Sequence, residues 1–420
     1  MTRPIGASRR AELERSVRES AFRPAVRRDR PRIGAEAEFI PVDALTRAVC
    51  PIDGGEGATT MRMLRTAAAR EGWREGMSDK GAPQFVLPAG GTLGFEPGGQ
   101  LEYSSPPCDT ASELLRRLRG VVRALREAGD PLGIELLTVG IDPGTPADRA
   151  PLVLDTHRYR GMADYFETIG PFGARMMRQS AAFQVSVDLG EEPSRLWRVL
   201  NGMAPYLAAI FANSPIYAGS HTGHASYRAH CWRMLDPSRT GVRQAAADPA
   251  GDYCEFALAA PAMFLPRIDG AYAPIAVHLG AGTADLADWN AHLTTLFPEI
   301  RPRGTFEVRS CDAVAPEWFA AALALVGGIA YDLAALRQAD ELFDDPDPDL
   351  LVRAGRDGLA DPEIAATARD VAILALDGCE ALGARLLAPS DLDDAREFFE
   401  RYTFVSRAPA DDVRPVPAAP

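Results

Sequence analysis

Four glutamates in the first quarter of the chain are spaced so that they could share one chemical task. Glu36 and Glu38 lie two residues apart in RIGAEAEFIPVD, a segment with strand-like alternation. Because successive side chains of a strand point to opposite faces, both carboxylates would project from one face. Glu96 and Glu102 flank the Pro-Gly-Gly turn of GFEPGGQLEYSSPP, which predicts a hairpin with an acid on each arm. The four acids could be solvated surface charges, or they could hold a cation.

Two later segments repeat this pattern. In AFQVSVD, Gln184 and Ser186 share one face with Asp188, and in TFEVRS Glu307 shares a face with Arg309. An ordinary antiparallel sheet with one face in water would show the same alternation. However, five carboxylates on one face would repel one another unless cations lay among them. Oxygen ligands of this kind suit Mg²⁺ or Mn²⁺ ions, which commonly share their coordination with substrate phosphates, so the combined pattern favours metal–phosphate chemistry.

The elements that would position these side chains are short strands backed by longer helices. Strands are predicted over 32–42, 93–96, 100–104, 134–140, 182–189 and 304–309. The helical spacing of apolar residues predicts helices over 9–20, 109–129, 194–212, 316–340, 361–386 and 390–402. Because strands do not alternate regularly with helices, the predicted fold class is α+β with a mainly antiparallel sheet, and a doubly wound parallel sheet is disfavoured.

Charge and composition exclude several classes of protein. The 420 residues carry a formal net charge of -13, which argues against a general nucleic-acid surface but allows a small anionic substrate at a local cationic or metal site. No G-x-x-x-x-G-K-[ST] phosphate-binding loop is present. The first residues lack the apolar core of a secretory signal, and the longest apolar run, Trp318 to Tyr331, is shorter than the ~18 residues of a membrane span. We therefore expect a cytoplasmic protein without membrane contact.

The chain is expected to divide into three parts. Residues 1–31 form an Arg-rich N-terminal arm, residues 32–405 form one large domain with a helical C-terminal part, and the Pro/Ala-rich residues 406–420 form a disordered tail. Six scattered cysteines without a C-x-x-C pair indicate buried or incidental thiols rather than structural zinc or a disulfide framework.

Ordered blocks of sequence resemble the plant- and proteobacterial-type glutamate–cysteine ligases. In chain order the blocks are RIGAEAEF, FEPGGQLEYSSPP, MMRQSAAFQVSVD, FANSPIYAGSHTGHASYRAHCW, DPSRTG and HLTTLFPEIRPRGTFEVRSCDA. EPGGQLEYSSPP and GIDPGTPADRAP are most similar to members that feed ergothioneine synthesis. The blocks run from about residue 32 to 335, roughly three quarters of the chain.

The resemblance implies a fold and a reaction. The fold would be that of a glutamine-synthetase-like carboxylate–amine ligase, with an antiparallel sheet curved into a funnel and helices outside it. The reaction would use ATP to phosphorylate the γ-carboxylate of L-glutamate, and the amine of L-cysteine would attack the γ-glutamyl phosphate. ATP, L-glutamate and L-cysteine or another amine are therefore the expected small-molecule partners, and the sequence indicates no oligomeric state.

The resemblance also implies roles for individual residues. The family's metal-binding acids match Glu36, Glu38, Glu96, Glu102 and Glu307. Arg309 would stabilise the transferring phosphoryl group, and Arg228 would hold a substrate carboxylate through a two-pronged contact. Gln184 would contact nucleotide and substrate, Ser186 would contact substrate, and Arg239 in DPSRTG is a further candidate for substrate binding, with a structural surface arginine as the alternative.

Two segments depart from the family's pattern. Plant-type members read M-M-x-R-T where residues 176–180 read MMRQS, so that Gln179 replaces an arginine and Ser180 a threonine, and Ser186 stands where an asparagine usually follows Q-V. These changes leave the acid set intact and bear on recognition of the acceptor or of the glutamate backbone. A ligase with a different amine acceptor is therefore one alternative. A non-catalytic binding or regulatory homologue is another, and the complete acid set argues against it.

Overall fold

The computed structural model describes residues 5–23, 31–54, 57–78, 81–241, 247–343 and 347–413. The strands are β1 Ile33–Asp43, β2 Arg74–Met77, β3 Pro83–Val86, β4 Thr92–Phe95, β5 Leu101–Ser104, β6 Ile134–Leu137, β7 Phe183–Val187, β8 Ile216–Tyr217, β9 Ser220–His221, β10 Ile300–Pro302 and β11 Phe306–Val308. The helices are α1 Ala7–Ser20, α2 Thr60–Glu71, α3 Ala111–Gly129, α4 His157–Glu167, α5 Phe172–Gln179, α6 Pro193–Ile210, α7 Tyr227–Arg233, α8 Pro237–Thr240, α9 Pro249–Ala259, α10 Ile275–Ala281, α11 Leu286–Leu293, α12 Phe319–Tyr331, α13 Leu333–Asp340, α14 Pro348–Asp357, α15 Pro362–Leu382 and α16 Pro389–Arg401.

One sheet organises the described part of the chain. Its nine strands run in the order β10-β11-β7-β1-β5-β4-β3-β2, and β6 pairs with the second half of β1. Each ladder between these strands is antiparallel, and β8 and β9 form a separate hairpin. The predicted fold class, α+β with a mainly antiparallel sheet, is therefore confirmed.

The apolar face of the sheet is covered by helices. Phe39, Phe183 and Val185 are buried on that face, and the Phe183 ring stacks on Phe319 of α12 with 4.6 Å between ring centroids. Helix α12 lies in the centre of the core and packs against α15, α16 and α3. Because this face is sealed, the chemistry that the polar side chains could perform belongs to the opposite face.

The predicted helix over 316–340 is wrong as a single element. Helix α12 ends at Tyr331, and Asp332 has extended backbone while its carboxylate accepts a hydrogen bond from the N–H of Ala335. The apolar pattern continues across this point, but an aspartate cap starts a new helix, and the two segments bend by 91°. No single helix in the described part of the chain is long and apolar enough to cross a membrane; only this bent pair, taken together, passes that test of length and composition.

Both ends of the described chain pack on the domain. Helix α1 covers the whole of the predicted helix 9–20 and begins two residues earlier; it buries Leu13 and Val17 and contacts α9. At the other end, the predicted disordered tail begins too early, because Pro409–Asp412 form a 3₁₀ helix and the N–H of Ala410 donates to the carbonyl of Ala212 at 2.8 Å. Residues 1–4, 24–30 and 414–420 of the predicted arm and tail lie outside the described residues.

Three predicted strands are too long. Strand 182–189 is limited to β7 Phe183–Val187. Strand 134–140 is limited to β6 Ile134–Leu137, where pairing with β1 stops. Strand 304–309 is limited to β11 Phe306–Val308, and its edge is covered by the unpredicted three-residue strand β10. This extra strand matters because it brings another arginine onto the polar face.

Candidate active site

The polar face of the sheet forms a wall of a cavity of about 430 Å³. Glu36 on β1 lies opposite Ser104 of β5 on one side and opposite Gln184 of β7 on the other, and Glu38 lies opposite Glu102. Directly opposed residues of antiparallel strands project from the same face. The register therefore brings together side chains from three strands, and all five of them line the cavity.

The Pro-Gly-Gly turn is part of the cavity wall and not a solvent-exposed hairpin tip. Its two acids, Glu96 and Glu102, both line the cavity, while the tip between them is buried. The Gln100 side chain accepts a hydrogen bond from the N–H of Gly98 at 3.0 Å and donates one to the carbonyl of Ser180 at 2.9 Å. A Cβ atom at Gly98 would collide with the backbone of α5. The glycine thus permits the turn to dock on the helix that precedes β7.

The carboxylates on β1 share a site that disfavours their negative charge. Burial and then the neighbouring Glu102 raise the pKa of Glu36 to about 8, and the same two causes raise the pKa of Glu38 to about 7. Glu38 keeps both oxygens hydrogen-bonded, to the N–H of Ala182 and to Gln184, each at 2.8 Å. A bound cation would offset the repulsion between these acids.

The donor set fits a hard divalent cation. Glu36, Glu38, Glu96 and Glu102 all line one cavity, and carboxylate oxygen is a ligand atom that Mg²⁺ and Mn²⁺ prefer. Within the described ranges, no three His, Cys, Asp or Glu side chains form a ready-made metal cluster. An open set of this kind is typical of Mg²⁺ sites whose remaining ligands are water and substrate phosphates.

A row of hydrogen bonds crosses the sheet from β1 to β10. Gln184 donates to Glu38 through Nε2 at 2.8 Å and accepts from Nη1 of Arg309 through Oε1 at 2.6 Å. The same Nη1 lies 3.1 Å from Oε2 of Glu307, and Arg301 binds both oxygens of Glu307, at 2.5 and 3.0 Å. The row therefore fixes Arg309 between a neutral amide and a carboxylate.

Glu307 is held by arginines in this structure and is not among the residues that line the cavity. It is 2% exposed, and although burial opposes its charge, Arg301 and Arg309 lower its pKa to about 2. Both of its oxygens are engaged by guanidinium groups. The Nε atom of Arg309, in contrast, is buried without a hydrogen-bond partner. Of the five predicted metal ligands, Glu307 is the one that the structure does not bring to the cavity surface.

Arg228 lies on α7 and lines the cavity beside Arg309. Its Nη2 donates to the carbonyl oxygen of Arg309 at 2.9 Å. The ring of Trp232, one turn later on α7, lies under both guanidinium groups, with its centroid 5.0 Å from the Cζ of Arg228 and 5.9 Å from that of Arg309. Trp232 is itself fixed by a hydrogen bond to the carbonyl of Phe297 at 3.0 Å. The aromatic ring therefore supports two cations at once.

Arg239 lies away from the cavity, and the alternative prediction of a structural surface arginine is wrong in its location, because the residue is buried. It is fully buried on α8, where Nη1 donates to the carbonyl of Thr295 at 3.0 Å and Nε lies 3.2 Å from Asp236. Its guanidinium also lies 4.7 Å from the centroid of the Tyr165 ring. These contacts join α8, α4 and the segment after α11, so the DPSRTG block supports the fold behind the cavity.

Of the residues that depart from the family's pattern, Gln179 and Ser186 do not line the cavity, whereas Ser180 does. Gln179 is 1% exposed; it donates to the carbonyl of Thr145 at 2.6 Å and accepts from the hydroxyl of Tyr217 at 3.1 Å. Ser186 is on the polar face of β7, opposite Gly34 and Glu307, but beyond the end of the cavity. In this structure Gln179 and Ser186 therefore contact other parts of the protein and do not line the cavity.

The cavity also contains residues that were not predicted from the sequence. Arg158, Arg301 and Arg303 line it, and together with Arg228 and Arg309 they offset the acids. Arg301 and Arg303 alternate in PEIRPRGT directly before the strand of Glu307, so strand periodicity was a usable signal for them. Arg158 had no such signal, because α4 reaches the cavity only through tertiary packing, where Arg158 donates to Thr294 at 2.6 Å.

The fold matches a solved ligase. The glutamate–cysteine ligase of Francisella tularensis, determined in complex with AMP, aligns with a TM-score of 0.52 and 12% sequence identity over 91% of this chain and 84% of that chain. At this identity the match establishes a shared fold.

Sequence comparisons define the family. The family model described as glutamate-cysteine ligase family 2 (GCS2) matches residues 32–403. The glutamate–cysteine ligase EgtA of Mycolicibacterium smegmatis is 34% identical over 370 residues, which cover 83% of each chain. The EgtA of Mycobacterium tuberculosis H37Rv is 33% identical over 78% of this chain and 77% of its own length, and a chloroplastic glutamate–cysteine ligase of rice is 29% identical over 60% and 54%. This chain belongs to the glutamate–cysteine ligase family, and it is a ligase.

Proposed function

We propose that this ligase joins the γ-carboxylate of L-glutamate to the amine of L-cysteine with ATP as co-substrate. In the first step a γ-carboxylate oxygen attacks the terminal phosphoryl group of ATP, the bond from that phosphorus to the bridging oxygen breaks, and γ-glutamyl phosphate and ADP form together in the site. In the second step the amine attacks the γ-carbonyl carbon, the C–O bond to phosphate breaks, and the nitrogen loses a proton. The products are γ-glutamylcysteine, ADP and phosphate.

The observation that carries this proposal is the presence of four carboxylates and Arg309 in one cavity. Phosphoryl transfer between two anions depends on charge neutralisation and alignment more than on covalent help from the protein. A bound Mg²⁺ or Mn²⁺ ion supplies part of that neutralisation at the phosphate oxygens. Glu36, Glu38, Glu96 and Glu102 would hold such an ion, and Glu307 stays a ligand predicted only by the family resemblance.

Arg309 is the residue proposed to contact the transferring phosphoryl group. Gln184 and Glu307 hold its Nη1, while its Nε has no partner of its own. A guanidinium fixed in this way meets developing negative charge without having to reorganise. Arg228, which lines the cavity next to it, would bind a carboxylate of glutamate through its remaining N–H donors.

The alternatives receive less support. A different amine acceptor was suggested by Gln179 and Ser186, but neither side chain lines the cavity. A non-catalytic homologue would not need four acids on one cavity wall, where their mutual repulsion destabilises the protein. The similarity to the mycobacterial EgtA proteins and the EPGGQLEYSSPP block favour ergothioneine synthesis as the use of the product, with glutathione synthesis as the alternative.

The test is an ADP-release assay with Mg²⁺, in which glutamate, the amine and the metal are omitted in turn. We expect release only when glutamate and cysteine are both present, with mass spectrometry identifying γ-glutamylcysteine. A panel of amines run in parallel examines the acceptor. Equal turnover with unrelated amines would remove the cysteine assignment, and ADP release without any amine acceptor would contradict the ligation itself.

A further inference from the structure

Asp312 is a buried carboxylate directly behind the cavity that has no role in the function described so far. It is 1% exposed and lies three residues after Arg309. Its Oδ2 accepts from the N–H of Asn213 at 2.8 Å and from the hydroxyl of Ser214 at 2.7 Å, and its Oδ1 accepts from the hydroxyl of Ser226 at 2.9 Å. It is not among the residues that line the cavity, so it does not meet a substrate directly.

The contacts of Asp312 converge on Arg228. Oδ1 of Asp312 lies 3.7 Å from Nη1 of Arg228, and both side chains are almost fully buried. Ser214, which donates to Asp312, accepts from the backbone N–H of Arg228 at 3.1 Å. Ser226, which also donates to Asp312, caps α7 by accepting from the N–H of Ala229 at 3.0 Å. One carboxylate thus fixes both the start of α7 and the guanidinium that this helix carries.

The fold leaves space for this carboxylate. A Cβ atom at Gly140 would overlap the carboxyl group of Asp312, and the N–H of Gly140 donates to the carbonyl of Asn213 at 3.0 Å. A buried carboxylate without a counter-charge is strongly destabilising. Arg228 therefore stabilises the charge of Asp312, and Asp312 stabilises the charge of Arg228.

Arg228 is held from three directions. Asp312 lies at Nη1, the carbonyl of Arg309 accepts from Nη2, and the ring of Trp232 lies against the guanidinium plane. Of these three partners only Asp312 carries a negative charge. Without it, the nearest attraction on the guanidinium would come from the cavity acids, since Arg228 already interacts electrostatically with Glu38.

We propose that Asp312 is a positioning residue that aims Arg228 at a substrate carboxylate. The inference rests on the proposed function only in that Arg228 binds glutamate. A misaimed guanidinium would weaken binding of glutamate in the ground state and in the transition state alike, and a loss of uniform binding raises KM while kcat changes little.

The test is the Asp312→Asn variant, which keeps the shape of the side chain and removes its charge. We expect KM for glutamate to rise tenfold or more with kcat within about threefold of the wild type. In an Arg228→Lys background, the two-pronged guanidinium is already absent. Asp312→Asn should then raise KM little further, because both changes remove the same interaction. Asp236→Asn is the matched control, since Asp236 is a buried carboxylate paired with Arg239 away from the cavity; it should leave KM unchanged.

A KM for Asp312→Asn no higher than that of Asp236→Asn would overturn the inference, as would an effect that adds fully to that of Arg228→Lys. If Asp312→Asn fails to fold, Ser214→Ala loosens the same pair with the charge retained, and a wild-type KM in that variant would also overturn it. Calorimetric titration with glutamate measures the same loss without turnover. An active wild type with a normal Asp312→Asn variant would contradict this inference alone, whereas a wild type that neither binds glutamate nor releases ADP would contradict the proposed function as well.

Discussion

Arg309 donates a hydrogen bond through Nη1 to Oε1 of Gln184 at 2.6 Å, and the amide nitrogen of Gln184 donates in turn to Glu38 at 2.8 Å. A neutral side chain therefore stands between a buried cation and a buried carboxylate. Because the amide offers an acceptor to Arg309 and a donor to Glu38, it separates the two side chains, and they do not form an ion pair with each other. The cation and the acid each remain available to a ligand of opposite charge.

Gln184→Leu should remove the two hydrogen bonds that link Arg309 to Glu38. Loss of a hydrogen bond to a charged group typically costs about 1.5–3 kcal/mol of free energy. We therefore expect kcat to fall about 10- to 100-fold as Arg309 loses its orientation. Asn201→Leu is the matched control, because Asn201 is a buried amide that binds only within α6, to the carbonyl of Trp197. An equal fall in kcat for both variants would show that the effect is general destabilisation.

Glu102→Gln removes one charge from the proposed metal site and changes little else. Glu102 lines the cavity opposite Glu38, and the hydroxyl of Ser104 donates to it at 2.6 Å, a bond that an amide oxygen could still accept. We expect ADP release to slow ~100-fold or more, the scale of other electrostatic groups. Glu135→Gln, an exposed acid on β6, is the control. An unchanged rate for Glu102→Gln would mean that Glu102 does not bind the metal.

Metal binding should be coupled to proton release. In the metal-free protein the pKa of Glu36 is raised to about 8 and that of Glu38 to about 7, so below pH 7 both acids are mainly protonated. A cation must then displace these protons, and its apparent affinity rises with pH through this window. We expect Mn²⁺ to bind more tightly at about pH 8.5 than at about pH 6. Calorimetry in two buffers of different ionisation enthalpy should detect the release of protons at the lower pH. The Glu36→Gln variant should release fewer protons than the wild type. An Mn²⁺ affinity that does not change with pH would contradict the prediction.

Gln179 should affect stability and not acceptor choice. Its two hydrogen bonds go to Thr145 and Tyr217, and it is buried behind the cavity. Gln179→Met would leave these partners without a hydrogen bond, and we expect the unfolding free energy to fall by about 1–3 kcal/mol. The ranking of amine acceptors should not change. Urea unfolding and the amine panel measure the two properties separately. A changed ranking at unchanged stability would place Gln179 in acceptor recognition.

Much of the acidic wall could be predicted because its pattern is local. Glu36 and Glu38 share a face through strand periodicity alone, and Pro-Gly-Gly between Glu96 and Glu102 predicts the turn that joins their strands. Antiparallel pairing of neighbouring strands then brings these acids together. The outer strands β2 and β3 and the helix α8 had no comparable signal, because elements of four residues carry too little periodicity.

The partners of each side chain could not be predicted, since they depend on register and on distant packing. Glu307 resembles a metal ligand in sequence, yet the pairing of β10 with β11 sets Arg301 directly opposite it. Arg239 belongs to a block shared with the family, but α8 carries it into the core and away from the cavity. Asp312 follows Arg309 by three residues, and only the fold shows that Arg228 lies beside it.

His292 should make the protein less stable at mildly acidic pH. Its Nε2 lies 2.9 Å from the carbonyl of Ala257, which can only accept, so Nε2 carries a proton, and Nδ1 is buried without a partner. Burial and then nearby Arg239 lower its pKa from 6.5 to about 3. Between these values the unfolded chain binds a proton that the folded chain does not, so this contribution to stability is complete above pH 6.5 and is lost as pH falls towards 3. One such proton changes the unfolding free energy by up to about 1.4 kcal/mol per pH unit.

Urea unfolding of His292→Gln between about pH 7.5 and 5 should therefore show a shallower pH dependence than the wild type, while His157→Gln, at an exposed position on α4, should not. Identical slopes for wild type and His292→Gln would mean that His292 is protonated in the folded protein.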